Sequence, residues 1–465
     1  MPPARPRLVV LGLDSVSPWI LHERFLSFMP RMRRFLNGAR YGILRSVDPP
    51  ITVPAWAVMF SGVDPGTLGL YGFRHRRPGT YLDYYGPTAQ NLVRPMVWDQ
   101  LSRVGMRVCV IGMPPGYPPP HVNGVYISDF LTPETAKEYV FPASLQPEIE
   151  RVTGGYAFDV RFRASDRDRV GHELIEMTRR RFAAARYLWR RESWDFFALH
   201  EIGPDRVHHA FWKFFDPNHP RFEDNPALRA LAEEYYARLD AEIGALLDMV
   251  GPGVQVLVVS DHGSQAMSGC FCINDWLIRK GYLALRGPPP PAGSPLEDAS
   301  VDWSRTRAWG AGGYYARIFF NVQGREPEGV LAPDELTSFK ERLVEDLRAI
   351  RLPNGTSLRA DVRDPARIYR TTTGDAPDLM VYFDDLRWRS AGTVGHPDLF
   401  LPENDTGPDD SVHSFEGVYA VGSPPEGTEG PAAPQSMIDI GPTILAKFGL
   451  PIPADVQGRP IDRFL

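Results

Sequence analysis

Short apolar runs recur along the chain at 8–13 (LVVLGL), 41–47, 107–112 (RVCVIG), 194–199 (WDFFAL), 256–259 (VLVV), 378–383 (DLMVYF) and 417–421. Their apolar positions are continuous rather than alternating, the pattern of strands buried on both faces of a parallel sheet. A glycine turn followed by another strand is expected within 307–321. Between the runs lie stretches with helical spacing. Leu174, Ile175, Met177, Phe182 and Leu188 mark one face of a helix over 169–191, and its dense arginine face reads as solvated. Further helices are expected from Ser15 and Pro18 towards Arg34, over 52–60, 98–104, 227–249, 273–281 and 333–350, and after Met437 up to the prolines at 451 and 453. Strands alternating with helices predict an α/β protein.

Several runs end in groups able to do chemistry. VLVV is followed by Ser260, Asp261, His262 and Gly263, and LVVLGL by Asp14. Ligands of open α/β sheets bind just outside such carboxyl ends. An Asp–His pair offers a divalent metal one hard oxygen and one borderline nitrogen, although an Asp-His-Gly turn can simply end a strand. Asp14 is equally readable as a helix cap. Thr52 opens an apolar helix between Pro50 and Pro54, either as its cap or as a nucleophile whose phosphate rests on free helix N–H groups. Asp205 and His209 are four apart, on one face of a helical segment, with His208, Asp216 and His219 as rival ligands. His413 lies in a polar loop before the last strand. Seven residues, Asp14, Thr52, Asp205, His209, Asp261, His262 and His413, thus fall at one kind of place. Two metals about 4 Å apart would activate a hydroxyl there and steady a leaving oxygen.

Composition narrows the partners. The chain has 465 residues, 43% hydrophobic and 23% charged, with a formal net charge of -6. That balance argues against a general nucleic-acid binder. Three cysteines, Cys109, Cys270 and Cys272, give no disulfide framework and fit a reducing compartment. The start MPPARPR has no apolar signal region and no run of 18 apolar residues occurs, so a cytoplasmic protein without membrane association is expected. The proline-rich stretch 285–296 reads as an exposed linker.

The order Asp, Thr, Asp-x-x-x-His, Asp-His, His resembles the alkaline phosphatase superfamily across nearly the whole length. PPITVPAW (49–56), DRVHHAFWKFFD (205–216), GREPEGV (324–330), APDLMV (376–381) and IDIGPTIL (438–445) resemble its type I phosphodiesterase/nucleotide pyrophosphatase branch, in particular a group called predicted phosphohydrolase/phosphomutase. The resemblance implies a three-layer α/β/α core with a large, mainly parallel sheet built from 1–112, 190–285 and 400–465. Stretches 113–168 and 285–400 would be cap inserts in one domain. It implies two divalent ions, one held by Asp14, Thr52, Asp261 and His262, the other by Asp205, His209 and His413. Zinc is the usual pair, and manganese serves mutase-like members. Thr52 would be the nucleophile, forming a phosphothreonine while a phosphodiester, pyrophosphate or phosphomonoester of a small-molecule or nucleotide-type substrate is cleaved. Two alternatives stand beside this: a phosphomutase, and a non-catalytic binding protein on the same fold. TVPAW offers neither the Cys nor the Arg of a formylglycine sulfatase at that position. Arg74, His75, Trp309 and Arg317, cationic or aromatic groups beside glycine-rich loops, are the candidates for substrate contact.

Overall fold

The computed structural model describes residues 7–251, 253–423, 430–462 and 464–465. The first six residues, part of the MPPARPR start on which the expected absence of a signal region rests, and Pro252 of the turn before the VLVV strand, lie outside these. The larger sheet has nine strands in the order Gln435–Ser436, Arg40–Arg45, Glu416–Gly422, Gln255–Val259, Leu8–Leu13, Phe196–Glu201, Val108–Ile111, Gly124–Ile127, Val140–Phe141. The five from Gln255–Val259 to Gly124–Ile127 are mutually parallel, whereas Glu416–Gly422 runs antiparallel to both neighbours. Gly12 is in register with His200 on one side and Val259 on the other, so Asp14, Ile202 and Ser260 emerge at a common edge.

Alternation along the central strand explains the layers. Val9, Leu11 and Leu13 point into one core, under Arg167–Arg191 and Pro226–Leu247. Leu8 and Val10 point into another, under Thr52–Ser61, Val97–Arg103 and Ile440–Lys447. Both faces are therefore dry, and each fully buried Leu or Val contributes about 1.5–3 kcal/mol. This is the expected mixed α/β fold with a large, mostly parallel sheet.

Two local expectations change. The helix expected from Ser15 to Arg34 is broken into a π-helical stretch, Trp19–Phe25, a short turn, Leu26–Phe28, and an α-helix, Pro30–Asn37. Pro30 has no N–H to continue the ladder, and Met29 before it is extended, with φ −121°. The stretch 113–168 supplies two strands of the larger sheet, Gly124–Ile127 and Val140–Phe141.

A second sheet, of seven strands, begins at Gly269–Cys272 and ends at Phe400–Leu401. Its own core gathers Phe271, Trp276, Trp309, Phe319, Phe339 and Phe383. Between the sheets, Gly263–Ala266 pairs antiparallel with Ser411–Ser414, opposing Ser264 and His413. The proline-rich stretch is mostly exposed but rests on the smaller sheet's loop: a Cβ on Gly395 would lie 2.1 Å from the Pro290 carbonyl oxygen. Among the described residues no helix is long and apolar enough to cross a membrane.

Candidate active site

Strand ends set most of the site. Asp14 follows Leu8–Leu13, and Ser15 after it adopts a left-handed φ of 66°, turning its N–H onto Asp261 Oδ1 at 3.1 Å. Val16 N–H donates to Ser260 Oγ at 2.8 Å, so two neighbouring strand ends are stitched together. Asp205 and His209 occupy one face of Gly203–Phe215, with 3.3 Å between Oδ1 and Nε2. Thr52 is the first residue of a helix buried on every side.

All seven candidates converge. His262 Nε2 lies 3.1 Å from Asp261 Oδ2, 3.7 Å from Asp14 Oδ1 and 3.2 Å from Thr52 Oγ1. His413 Nε2 is 3.6 Å from Asp205 Oδ1, and the His262 and His413 rings stack at 3.7 Å. Two groups have ligand atoms within 4.8 Å of one another, Asp14–Asp261–His262 and Asp205–His262–His413. His262 belongs to both, where the sequence assigned it to one. His209 meets the second group through Asp205 Oδ1 and through the His413 ring, 5.7 Å away between centroids, and its Nε2 also faces the Tyr314 hydroxyl at 3.0 Å.

The donor set fits metal ions. Each carboxylate has one oxygen anchored and one bare. Asp14 Oδ2 accepts from Trp56 Nε1, Asp205 Oδ2 from Arg206 and Asp261 Oδ1 from Ser15, while Asp14 Oδ1, Asp205 Oδ1 and Asp261 Oδ2 have no hydrogen bond. The imidazoles follow the same rule. His413 Nδ1 donates to the Pro50 carbonyl at 2.8 Å and His262 Nδ1 to that of Gly263 at 3.0 Å. Tautomer and direction are thereby fixed, with His413 Nε2 bare and His262 Nε2 turned to the Thr52 hydroxyl. Buried atoms without partners are rare in folded proteins, and the four gathered here are donors of the kind a divalent cation takes.

Electrostatics agree. Burial first, then the Asp205 carboxylate, pushes Asp14 up to about 7, and burial with Asp14 pushes Asp261 well above the carboxylate range. Both shifts mark negative charge without enough positive charge beside it. Burial and His262 hold His413 well below the usual imidazole value, keeping it a neutral ligand. His209 moves the other way: burial opposes it, but Asp409, at 2.6 Å from Nδ1, raises it well above its ordinary value.

The substrate-contact candidates divide. Arg74 is exposed and lines a surface depression with Tyr84, Tyr85 and Glu297, and its carbonyl accepts from Arg317. His75 is buried, accepts the Tyr71 N–H at 2.8 Å and is pushed down to about 3 by burial and Arg317. Trp309 is fully buried in the smaller sheet's core against Trp303, Tyr81 and Phe319, and its described ring contacts include none of the seven residues. The rival ligands are engaged elsewhere: His208 with Tyr236 and Ser264, His219 with Asp410 and Arg221, and Asp216 with Trp212 and Asn218.

Four supporting residues escaped sequence reasoning. His200 closes the Phe196–Glu201 strand, with Nδ1 donating to the Gly112 carbonyl and Nε2 2.8 Å from Asp14 Oδ2. Trp56 holds the same oxygen. Tyr314 stacks on His413 at 3.7 Å, and Asp409 orients His209 while Arg163 and Arg389 hold its other oxygen. Their one sequence signal was position: His200 at a strand end and Asp409 four residues before His413.

An α/β sheet carrying a buried Asp–His–Thr cluster at its carboxyl edge is the architecture of a phosphoryl-transfer protein. The family model described as Type I phosphodiesterase / nucleotide pyrophosphatase matches residues 8–410, and the chain belongs to that family, a branch of the alkaline phosphatase superfamily. Its activity is accordingly hydrolysis of the phosphodiesterase or pyrophosphatase type, in a family that is typically metal-dependent. His413 lies just beyond the matched residues. No curated protein matches the chain.

Proposed function

We propose that the protein hydrolyses the phosphodiester or pyrophosphate bond of a small-molecule or nucleotide-type substrate, with Thr52 as nucleophile. Asp14, Asp261 and His262 would hold one divalent cation and Asp205, His209 and His413 a second, zinc suiting this nitrogen-and-oxygen set. Such ions lower the pKa of a bound hydroxyl and neutralise developing charge. The observation that carries the reading is the Thr52 hydroxyl, 3.2 Å from His262 Nε2 at the start of a buried helix. Helix N–H groups favour a phosphoryl anion at that position. Thr52 Oγ forms a bond to phosphorus as the leaving oxygen departs, and water then cleaves the phosphothreonine. The three buried free thiols support a reducing, cytoplasmic setting.

The test is paired hydrolysis of bis(p-nitrophenyl) phosphate and p-nitrophenyl phosphate with added zinc or manganese. Faster diester cleavage is expected, and Thr52→Ala should lower kcat by roughly 10³ or more while metal content is kept. Full activity in that variant refutes the nucleophile. Monoester preference would move the protein to the phosphatases, and isomerisation without phosphate release to the mutases.

A further inference from the structure

A second group of metal-ligating side chains lies outside this cluster, where the Gly269–Cys272 strand runs into the Ile273–Arg279 helix. Cys272, Asp275 and His396 each bring one ligand atom within 4.8 Å of the others. Cys272 is fully buried, Asp275 is 5% exposed and His396 is half-buried. We propose that these three residues form a zinc site that pins the 393–405 loop to the start of that helix.

Three observations converge on a ligand. The fully buried Cys272 thiol makes no hydrogen bond among the described residues, and Asp275 and His396 each bring a ligand atom within 4.8 Å of it. A free cysteine is a protonated thiol at neutral pH, and the thiolate is the form that binds a metal. Zinc takes the thiolate and releases that proton to solvent.

The tautomer of His396 is set by its neighbours. Thr393 Oγ1 lies 2.8 Å from both Asp405 Oδ2 and His396 Nε2. A carboxylate only accepts, so the hydroxyl donates to Asp405 and must accept from His396 Nε2–H. That leaves Nδ1 with its lone pair, held by the hydroxyl–carboxylate relay that orients many metal-bound imidazoles.

The loop geometry is set by the third ligand. Asp275 accepts the Gly395 N–H at 2.9 Å on one oxygen and the His396 N–H at 3.2 Å on the other, leaving a lone pair on each. Gly395 has φ +85° and no room for a Cβ beneath the Pro290 carbonyl. Sulfur, nitrogen and oxygen together select zinc over magnesium or calcium, and the half-exposed histidine leaves the fourth position to water.

The test uses the full chain, stripped with chelator and titrated with cobalt(II). A sulfur-to-cobalt charge-transfer absorption should saturate at about one ion per chain and be displaced by zinc. The phosphoryl-transfer cluster contains no sulfur, so the band reports this site alone, whatever the fate of Thr52. It should vanish in Cys272→Ser and persist in Cys270→Ser. His396→Gln changes a half-exposed residue, and Thr393→Val removes the orienting hydroxyl. Each should weaken zinc binding at the band-reporting site at least about tenfold. No band in cobalt-loaded wild type, a band surviving Cys272→Ser, or unaltered affinity in His396→Gln overturns the assignment.

Discussion

Gly12 stands one residue from the end of the central strand, and the reason is the Trp56 ring. A Cβ at position 12 would lie 2.5 Å from Trp56 Cη2 and 3.1–3.2 Å from Cζ3 and Cζ2. Trp56 has nowhere to retreat. It is fully buried, stacks on Phe60 at 6.1 Å, meets His200 edge-on at 5.0 Å and donates 3.0 Å to Asp14 Oδ2. Gly12→Ala must therefore shift the indole or the helix that carries it, by about 1 Å to restore ordinary contact. Overpacking costs about 1–3 kcal/mol. Loss of the hydrogen bond to a buried carboxylate adds about 1.5–3 kcal/mol. A destabilisation of about 2.5–6 kcal/mol is expected in urea denaturation. Thr52 lies one helical turn before Trp56, so kcat/KM for bis(p-nitrophenyl) phosphate should fall as well. Trp56→Phe removes the clashing ring atoms together with the donor. In the double variant the packing penalty should disappear, leaving only the hydrogen-bond loss and a coupling above about 1 kcal/mol. A Gly12→Ala change within 0.5 kcal/mol of wild type, or strict additivity with Trp56→Phe, would refute this account.

Metal affinity should depend on pH with a defined sign. In the metal-free chain Asp14 keeps its proton up to about 7, so a cation must expel it below that pH. Apparent affinity should fall about tenfold, about 1.4 kcal/mol, from pH 8 to pH 6 through Asp14 alone. Asp261 and His209, also raised, act in the same direction, and chelator competition giving a flat profile would contradict the charge assignment. Asp409→Asn should cost about 3–5 kcal/mol in denaturation, because it leaves the buried Arg389 facing a neutral amide. The same change should weaken zinc binding about 10–100-fold by releasing His209, and unaltered affinity would remove Asp409 from the site.

The central strands and all seven converging residues were legible because both signals are local. A strand buried on two faces must be an unbroken apolar run, and polar groups that meet at the sheet's edge lie just past its end, as Asp14, Asp261 and His262 do. The smaller sheet was less legible. Its strands are two to five residues long, and its pairings are distant in sequence, such as Cys270 with Arg389. The proline break at Met29–Pro30 was visible in the letters, but apolar periodicity ran across it. Trp309 was chosen for its glycine neighbours, yet aromatic packing with Trp303 and Phe319 governs its position.

What local pattern cannot convey is the direction in which a ligand points. His262 faces Thr52 because the next residue's carbonyl takes its other proton, a constraint contained within two positions. His413 depends on the Pro50 carbonyl, 363 residues away, and His209 on Asp409, 200 residues away. Pro50 is also two residues before Thr52, so the backbone that presents the Thr52 hydroxyl also fixes the tautomer of a histidine facing Asp205. Thr52 and the Asp205–His413 pair are thereby joined through one carbonyl. Such a link requires parts of the chain distant in sequence to meet. The Glu416–Gly422 strand, inserted antiparallel between Arg40–Arg45 and Gln255–Val259, brings them together. That reversed strand, set between two strands that run the other way, is therefore the part of the topology that joins the two halves of the cluster most directly.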